Sequence, residues 1–155
     1  MPTETQQGIP RIMIGYDSQR SGRLYQFHTT LSESIHFLPF LANGSQIAGN
    51  VVATNSLDLV YLTTLFLDDG RAIGTRDTDR DYSFGNGIKL VRQIREIDNA
   101  NNKVPIVVSM SNPTGDPTRV EALGAGVTRL TTQEPVEITE AIIAELKKLK
   151  RYFPK

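Results

Sequence analysis

Cysteine is absent from the sequence, which excludes disulfides and thiolate-held metals. Neither sign of charge is in surplus, since 17 Lys and Arg balance 17 Asp and Glu. Nucleic acid is therefore not expected as a main partner, because a polyphosphate surface calls for a basic excess or patch. No apolar run comes near the roughly 20 residues of a membrane-spanning helix. Met1 to Gly8 is polar and acidic and lacks the hydrophobic stretch of a secretion signal. These absences lead us to expect a cytoplasmic protein whose residues 1–8 are a disordered lead-in. Internal repeats and low-complexity blocks are missing too. What is present is ordinary for a globular protein: 155 residues, 39% hydrophobic and 22% charged. That suits one domain, expected over 9–152, with a sizeable core.

Short β-rich runs alternate with helical periods. "RIMIGY", Arg11 to Tyr16, reads as a buried strand between Pro10 and Asp17. Leu24, Phe27, Leu31 and Ile35 recur on one face of a helix. "HFLPFLA", His36 to Ala42, is a second strand, and its Pro39 argues for a sheet edge, where a missing N–H is tolerated. Asn43-Gly44 marks a turn, and a short helix starts at Ser45 despite Gly49 in mid-run. "LDLVYL", Leu57 to Leu62, is the third strand. After a long polar loop, at about 67–86, "GIKLVRQIREID" sets Ile88, Val91, Ile94 and Ile97 on one helical face. "VPIVVSM", Val104 to Met110, is a fourth strand rich in β-branched residues. Asp116-Pro117 resembles an N-cap and N1 pair opening a helix that ends near Gly124, and "VTRLTT" is a fifth strand. The last helix carries Ile138, Ile142, Leu146 and Leu149 on one face and a basic C-terminal end.

Fivefold alternation of strand and helix predicts an α/β fold, a parallel sheet with helices on both faces. Right-handed crossovers and five strands fit the flavodoxin-like order 2-1-3-4-5 with five helices. Ligands on such folds bind at the carboxyl ends of the strands, so function is sought there.

The order and spacing of "LDLVYL", "FGNGIKLVRQIRE" (similar to M-D-G-x-x-L-x-x-x-I-R), "VPIVVSM" and "EALGAG" resemble the receiver domains of bacterial response regulators. The match runs from about Arg11 to Lys150. The resemblance implies five chemical positions. Two acids after strand one hold Mg²⁺, an Asp after strand three accepts phosphate, a Thr or Ser follows strand four, and a Lys follows strand five. A carboxylate attacks a polyanion only when a divalent cation and an ammonium group neutralise the crowded charge. In this sequence the acid pair falls on Tyr16 and Asp17, the phosphate acceptor on Thr63, the hydroxyl on Met110 (flanked by Ser109 and Ser111), and the lysine on Gln133 or Glu134. Only Asp17 keeps the family's residue type.

The resemblance therefore implies a degenerate form, a pseudo-receiver. It would bind proteins in two-component signal transduction without taking up phosphate, and would not be an enzyme. No cofactor or metal is expected. The partner would be a kinase, a regulator, an assembly component or a second copy of the chain. The rival is an active receiver phosphorylated with Mg²⁺ on Asp68 or Asp69, which would demand an unusually long third strand. A third reading gives the vacated pocket to a small molecule. The loop at 67–86 is longer than the family's equivalent, and such loops are usually functional or disordered. Its Asp68, Asp69, Arg71, Arg76, Asp79 and Arg80 are candidate contacts. "DTDRD" alternates acids but lacks the glycine and terminal glutamate of a calcium-binding loop. On strand five, Arg129 and Thr131 are candidate partner-facing residues. His28 and His36 have no catalytic partner at motif spacing.

Overall fold

A computed structural model describes residues 9–15, 21–63, 86–97, 104–110 and 123–150. The five strands are β1 (Arg11–Gly15), β2 (Leu38–Ala42), β3 (Leu59–Thr63), β4 (Ile106–Ser109) and β5 (Arg129–Thr131). Four helices are described, α1 (Ser21–Ser34), α2 (Ser45–Thr54), α3 (Asn86–Ile97) and α4 (Pro135–Lys148), together with a helical segment at 123–125. All strand pairs are parallel, in the expected order β2-β1-β3-β4-β5. Among the described residues no helix is long and apolar enough to cross a membrane.

The apolar runs of the central strands follow from the layering. A parallel sheet sandwiched by helices is buried on both faces, so every residue of an inner strand meets core. The period of two divides those residues between two clusters. Met13, Val60, Leu62, Ile106 and Val108 pack with Ala48 of α2 and Ile88, Val91 and Ile94 of α3. Ile12, Ile14, Leu59, Tyr61 and Val107 pack on the other face with Phe27, Leu31 and Ile35 and with Ile138, Ile142 and Leu146 of α4.

Pro39 lies in the edge strand, and the register explains why it is tolerated. Leu38 donates its N–H to Pro10 O at 2.8 Å, so Leu38, Phe40 and Ala42 direct their backbone groups inward to β1. By alternation Pro39 and Leu41 face the open side, and the N–H that proline lacks has no strand to reach. At the same, amino-terminal end of the strands, Asp58 clasps β1 twice. Its carboxylate Oδ2 accepts from Arg11 N–H at 2.8 Å, and its own N–H donates to Arg11 O at 2.8 Å.

Three expectations need correction. His36 is exposed and outside β2, because pairing begins where the Leu38 N–H reaches Pro10. Leu149 is 42% exposed rather than part of the buried stripe. It is the C-cap (φ −91, ψ −1), and the left-handed Lys150 (φ 56) that follows turns the chain away. Ile97 is likewise 45% exposed, at the last position of α3, where the helix has outrun the sheet. The lead-in expected to be disordered, most of the long loop and most of the helix expected from Asp116 lie outside the described residues.

Candidate functional site

The strand ends converge as the topology requires. Register pairs Thr63 with Ser109 and Ser109 with Thr131, so three hydroxyl side chains stand abreast at the carboxyl ends of β3, β4 and β5. All three belong to the set that alternation directs toward α1 and α4, as do Tyr61 and Arg129 two residues earlier. Thr63 is half-buried, whereas Ser109 (1% exposed) and Thr131 (7%) are buried.

Below this row the Tyr61 hydroxyl and Ser109 Oγ share a hydrogen bond of 2.7 Å, closed off from solvent. A buried hydroxyl without a partner costs roughly 1–3 kcal/mol, so each of these satisfies the other. The Tyr61 ring lies against Phe27 of α1, with centroids 4.8 Å apart. Helix, β3 and β4 are thereby tied at one point. Met110, at the family's hydroxyl position, is 4% exposed, and its N–H donates to Thr131 O at 2.9 Å. Its thioether fills space where a phosphate-binding hydroxyl would have to be open.

On β5, Arg129 Nε donates to Glu145 Oε2 of α4 at 2.8 Å, and Lys148 Nζ adds a second donor at 3.2 Å. Glu145 is only 4% exposed while Lys148 is 65% exposed. The two cations thus neutralise a carboxylate that helix packing has drawn inward. Beyond β5, Thr132 donates its hydroxyl to the Glu137 carboxylate and accepts from Glu134 N–H at 3.4 Å, which shapes the turn into α4. Gln133 sits in that turn, half-buried and two residues past the last residue of the strand.

The structure thus brings Thr63, Met110 and Thr131 together around Ser109, and places Gln133 beyond the strand end. Thr131, expected to face a partner, is instead buried in the row. Arg129 is half-buried and pairs with Glu145. Tyr16, Asp17, Asp68, Asp69, Arg71, Arg76, Asp79 and Arg80 lie outside the described residues. His28 is half-buried against Phe37, with ring centroids 5.4 Å apart, and its Nδ1 lies 3.4 Å from Ser32 Oγ. That is a packing role. Sequence reasoning missed the Tyr61–Ser109 pair and the Glu145 cluster. The i,i+3 spacing of Glu145 and Lys148 was visible, but no sequence signal joins either pair across strands.

The described strand ends do not fit a Mg²⁺ site, which takes several hard oxygens including at least one carboxylate. Their side chains are hydroxyls and a thioether. Among the described residues no group of three acidic or imidazole side chains could hold a metal ion.

No family model and no curated protein matches the chain. Solved structures do. A two-component response regulator from Clostridium difficile is 21% identical, with a TM-score of 0.62 over 90% of this chain and 98% of its own. A CheY-like receiver domain from Methanospirillum hungatei is 14% identical, with a TM-score of 0.64 over 92% and 98%. The receiver domain of a sensor histidine kinase from Pseudomonas aeruginosa, which holds magnesium in its active-site cleft, is 16% identical, with a TM-score of 0.60 over 90% and 96%. Likeness at these identities is likeness of fold. The chain has the flavodoxin-like fold of response-regulator receiver domains.

Proposed function

We propose that this chain is a pseudo-receiver, a protein-binding module of signal transduction whose output does not depend on phosphorylation. The reading is carried by the row at the strand ends. Where phosphoryl transfer in this fold needs a carboxylate at the end of β3 and an ammonium group following β5, this chain has Thr63 at the first, with Thr131 abreast of it in the row, and Gln133 at the second. A threonine hydroxyl is a far weaker nucleophile toward a phosphorylated donor than the carboxylate it stands in for. Two threonines offer no charge to stabilise the transferring group. The Tyr61–Ser109 bond and the buried Met110 point the same way, since they fill and tie the region that a working pocket keeps open. Recognition then rests on the surfaces of helices and loops, with a signalling kinase, a regulator or an assembly component as the partner class.

Incubation with Mg²⁺ and acetyl phosphate, followed by intact mass measurement, tests the proposal. The expected spectrum shows the unmodified chain alone. A gain of one phosphoryl group that disappears in Asp68→Asn or Asp69→Asn would establish the active-receiver reading in its place.

A further inference from the structure

β2 is the last strand on its side of the sheet, and its outer edge lacks the usual guards. Edge strands commonly carry charged side chains that keep a second strand away. Here no Asp, Glu, Lys, Arg or His occurs from Phe37 to Leu57, a run that covers β2, the turn after it and α2. Leu38 and Leu41 are left 46% and 49% exposed on the strand, and Leu41 packs in neither core cluster. The backbone is equally specific. Leu38, Phe40 and Ala42 turn their N–H and C=O groups to β1, so Leu41 directs both of its groups outward and Pro39 directs only a C=O.

We infer that β2 pairs antiparallel with β2 of a second copy, about a two-fold axis that passes between the two Leu41 residues. In that register each Leu41 N–H donates to the Leu41 C=O of the other copy, the doubly bonded pair of an antiparallel ladder. Pro39 then faces Asn43, past the end of the partner's strand at Ala42, so its missing donor costs the strand pair nothing. Moving the axis to Phe40 would set Pro39 against Leu41 and forfeit one bond at each of two points. Moving it to Pro39 would set the two rings against each other. The donor pattern therefore selects one register, and a two-fold contact in that register closes on itself. The side chains agree with it. The two Leu41 side chains come to lie side by side on the face that Ile14 shares with α1, while Phe40 falls opposite Ala42 on the other face. Because the edge is uncharged, two copies meet there without bringing like charges together. A contact of one short strand per copy is small, in the range of transient complexes, and with no charge in it the contact is insensitive to salt. The inference does not depend on the chemistry of the strand-end row.

Sedimentation equilibrium of the full chain at low and high salt reads the association directly. A reversible monomer–dimer equilibrium is expected, alike at both salt concentrations. Leu41→Lys or Leu41→Glu should each weaken it about tenfold or more, because each sets two like charges directly opposite one another. Leu149→Lys, which charges a leucine 42% exposed elsewhere on the chain, should leave it unchanged. Circular dichroism identical to the parent's would show that the variants are folded. Mixing the two Leu41 variants is the decisive arm, since the lysine of one then faces the glutamate of the other and the mixed dimer should form where neither variant pairs with itself. Amide exchange on the parent chain decides the matter even where a variant fails to fold. The Leu41 N–H should gain protection as protein concentration rises, whereas the Leu38 N–H, already bonded to Pro10 within the chain, should not. A parent that stays monomeric at high concentration, a Leu149→Lys effect as large as that at Leu41, a mixture that fails to associate, or Leu41 exchange that ignores concentration would each overturn the inference.

Discussion

Thr63 and its neighbours decide what chemistry the sheet can host. Installing the missing carboxylate as Thr63→Asp places a charge beside the buried Ser109 in a row whose described members supply no compensating cation. It should destabilise the fold by about 1–3 kcal/mol and gain no phosphate, as denaturant melts and acetyl phosphate labelling would show. The register adds a finer expectation. Thr131 rather than Gln133 stands in the row, so adding Thr131→Lys should restore part of the lost stability, while Gln133→Lys should not. Equal rescue by both would place the family's lysine position elsewhere. At the opposite end of the sheet one arginine does comparable work for the backbone. Arg95 donates to Gly126 O from Nε at 3.0 Å and Nη2 at 2.8 Å, and to Val104 O from Nη1 at 2.7 Å. Gly126 adopts φ +115, and a Cβ there would fall 2.9 Å from Arg95 Cγ. Gly126→Ala should therefore cost about 1–3 kcal/mol in urea unfolding, combining a strained dihedral with a displaced clamp.

Individual elements carry their own margins. Gly49 lies inside α2, where a methyl group would meet nothing within 4 Å. Its φ is not in the left-handed range, so Gly49→Ala should stabilise the protein by roughly 0.5–1 kcal/mol through helix propensity and a less free unfolded chain. Calorimetry showing no rise in melting temperature would mean that the glycine serves a contact instead. The elements themselves were largely legible in the sequence, because period and punctuation are local properties. The stripe at Ile88, Val91 and Ile94 gave α3, the β-branched run at 104–110 gave β4, and Pro39 marked the edge. The ends were less legible. His36 and Leu149 continue their patterns in composition, but where a strand starts or a helix stops depends on which backbone group finds a partner. The strand-end row was legible only as a list of residue types. A run such as "VPIVVSM" reads alike in any register, so nothing local says that Ser109 rather than Met110 meets Tyr61, or that Thr131 is the residue abreast of Thr63.

Taken whole, the molecule is a sheet with two cores and unequal strands. β1, β3 and β4 have neighbours on both sides and helices on both faces, and their residues Ile12, Ile14, Leu59, Leu62, Ile106 and Val108 are fully buried. β2 and β5 each have one neighbour. Native-state hydrogen exchange should therefore find the most protected amides in β1, β3 and β4, opening only near the global unfolding free energy, with the edge strands exchanging through smaller local openings. Uniform protection across all five strands would contradict this gradient. The edge at β2 carries a further consequence. Leu38 and Leu41 are 46% and 49% exposed there, in a strand free of charge, which is the composition of a fibril seed. The ring of Pro39 removes one of the two outward donors on that side, leaving only the Leu41 N–H for a second strand. Replacing it with threonine would give the edge an outward N–H and a β-branched side chain at once. Thioflavin-positive assembly with a concentration-dependent lag is then expected at concentrations where the parent stays clear, so one missing hydrogen at this edge bears on the chain's colloidal behaviour.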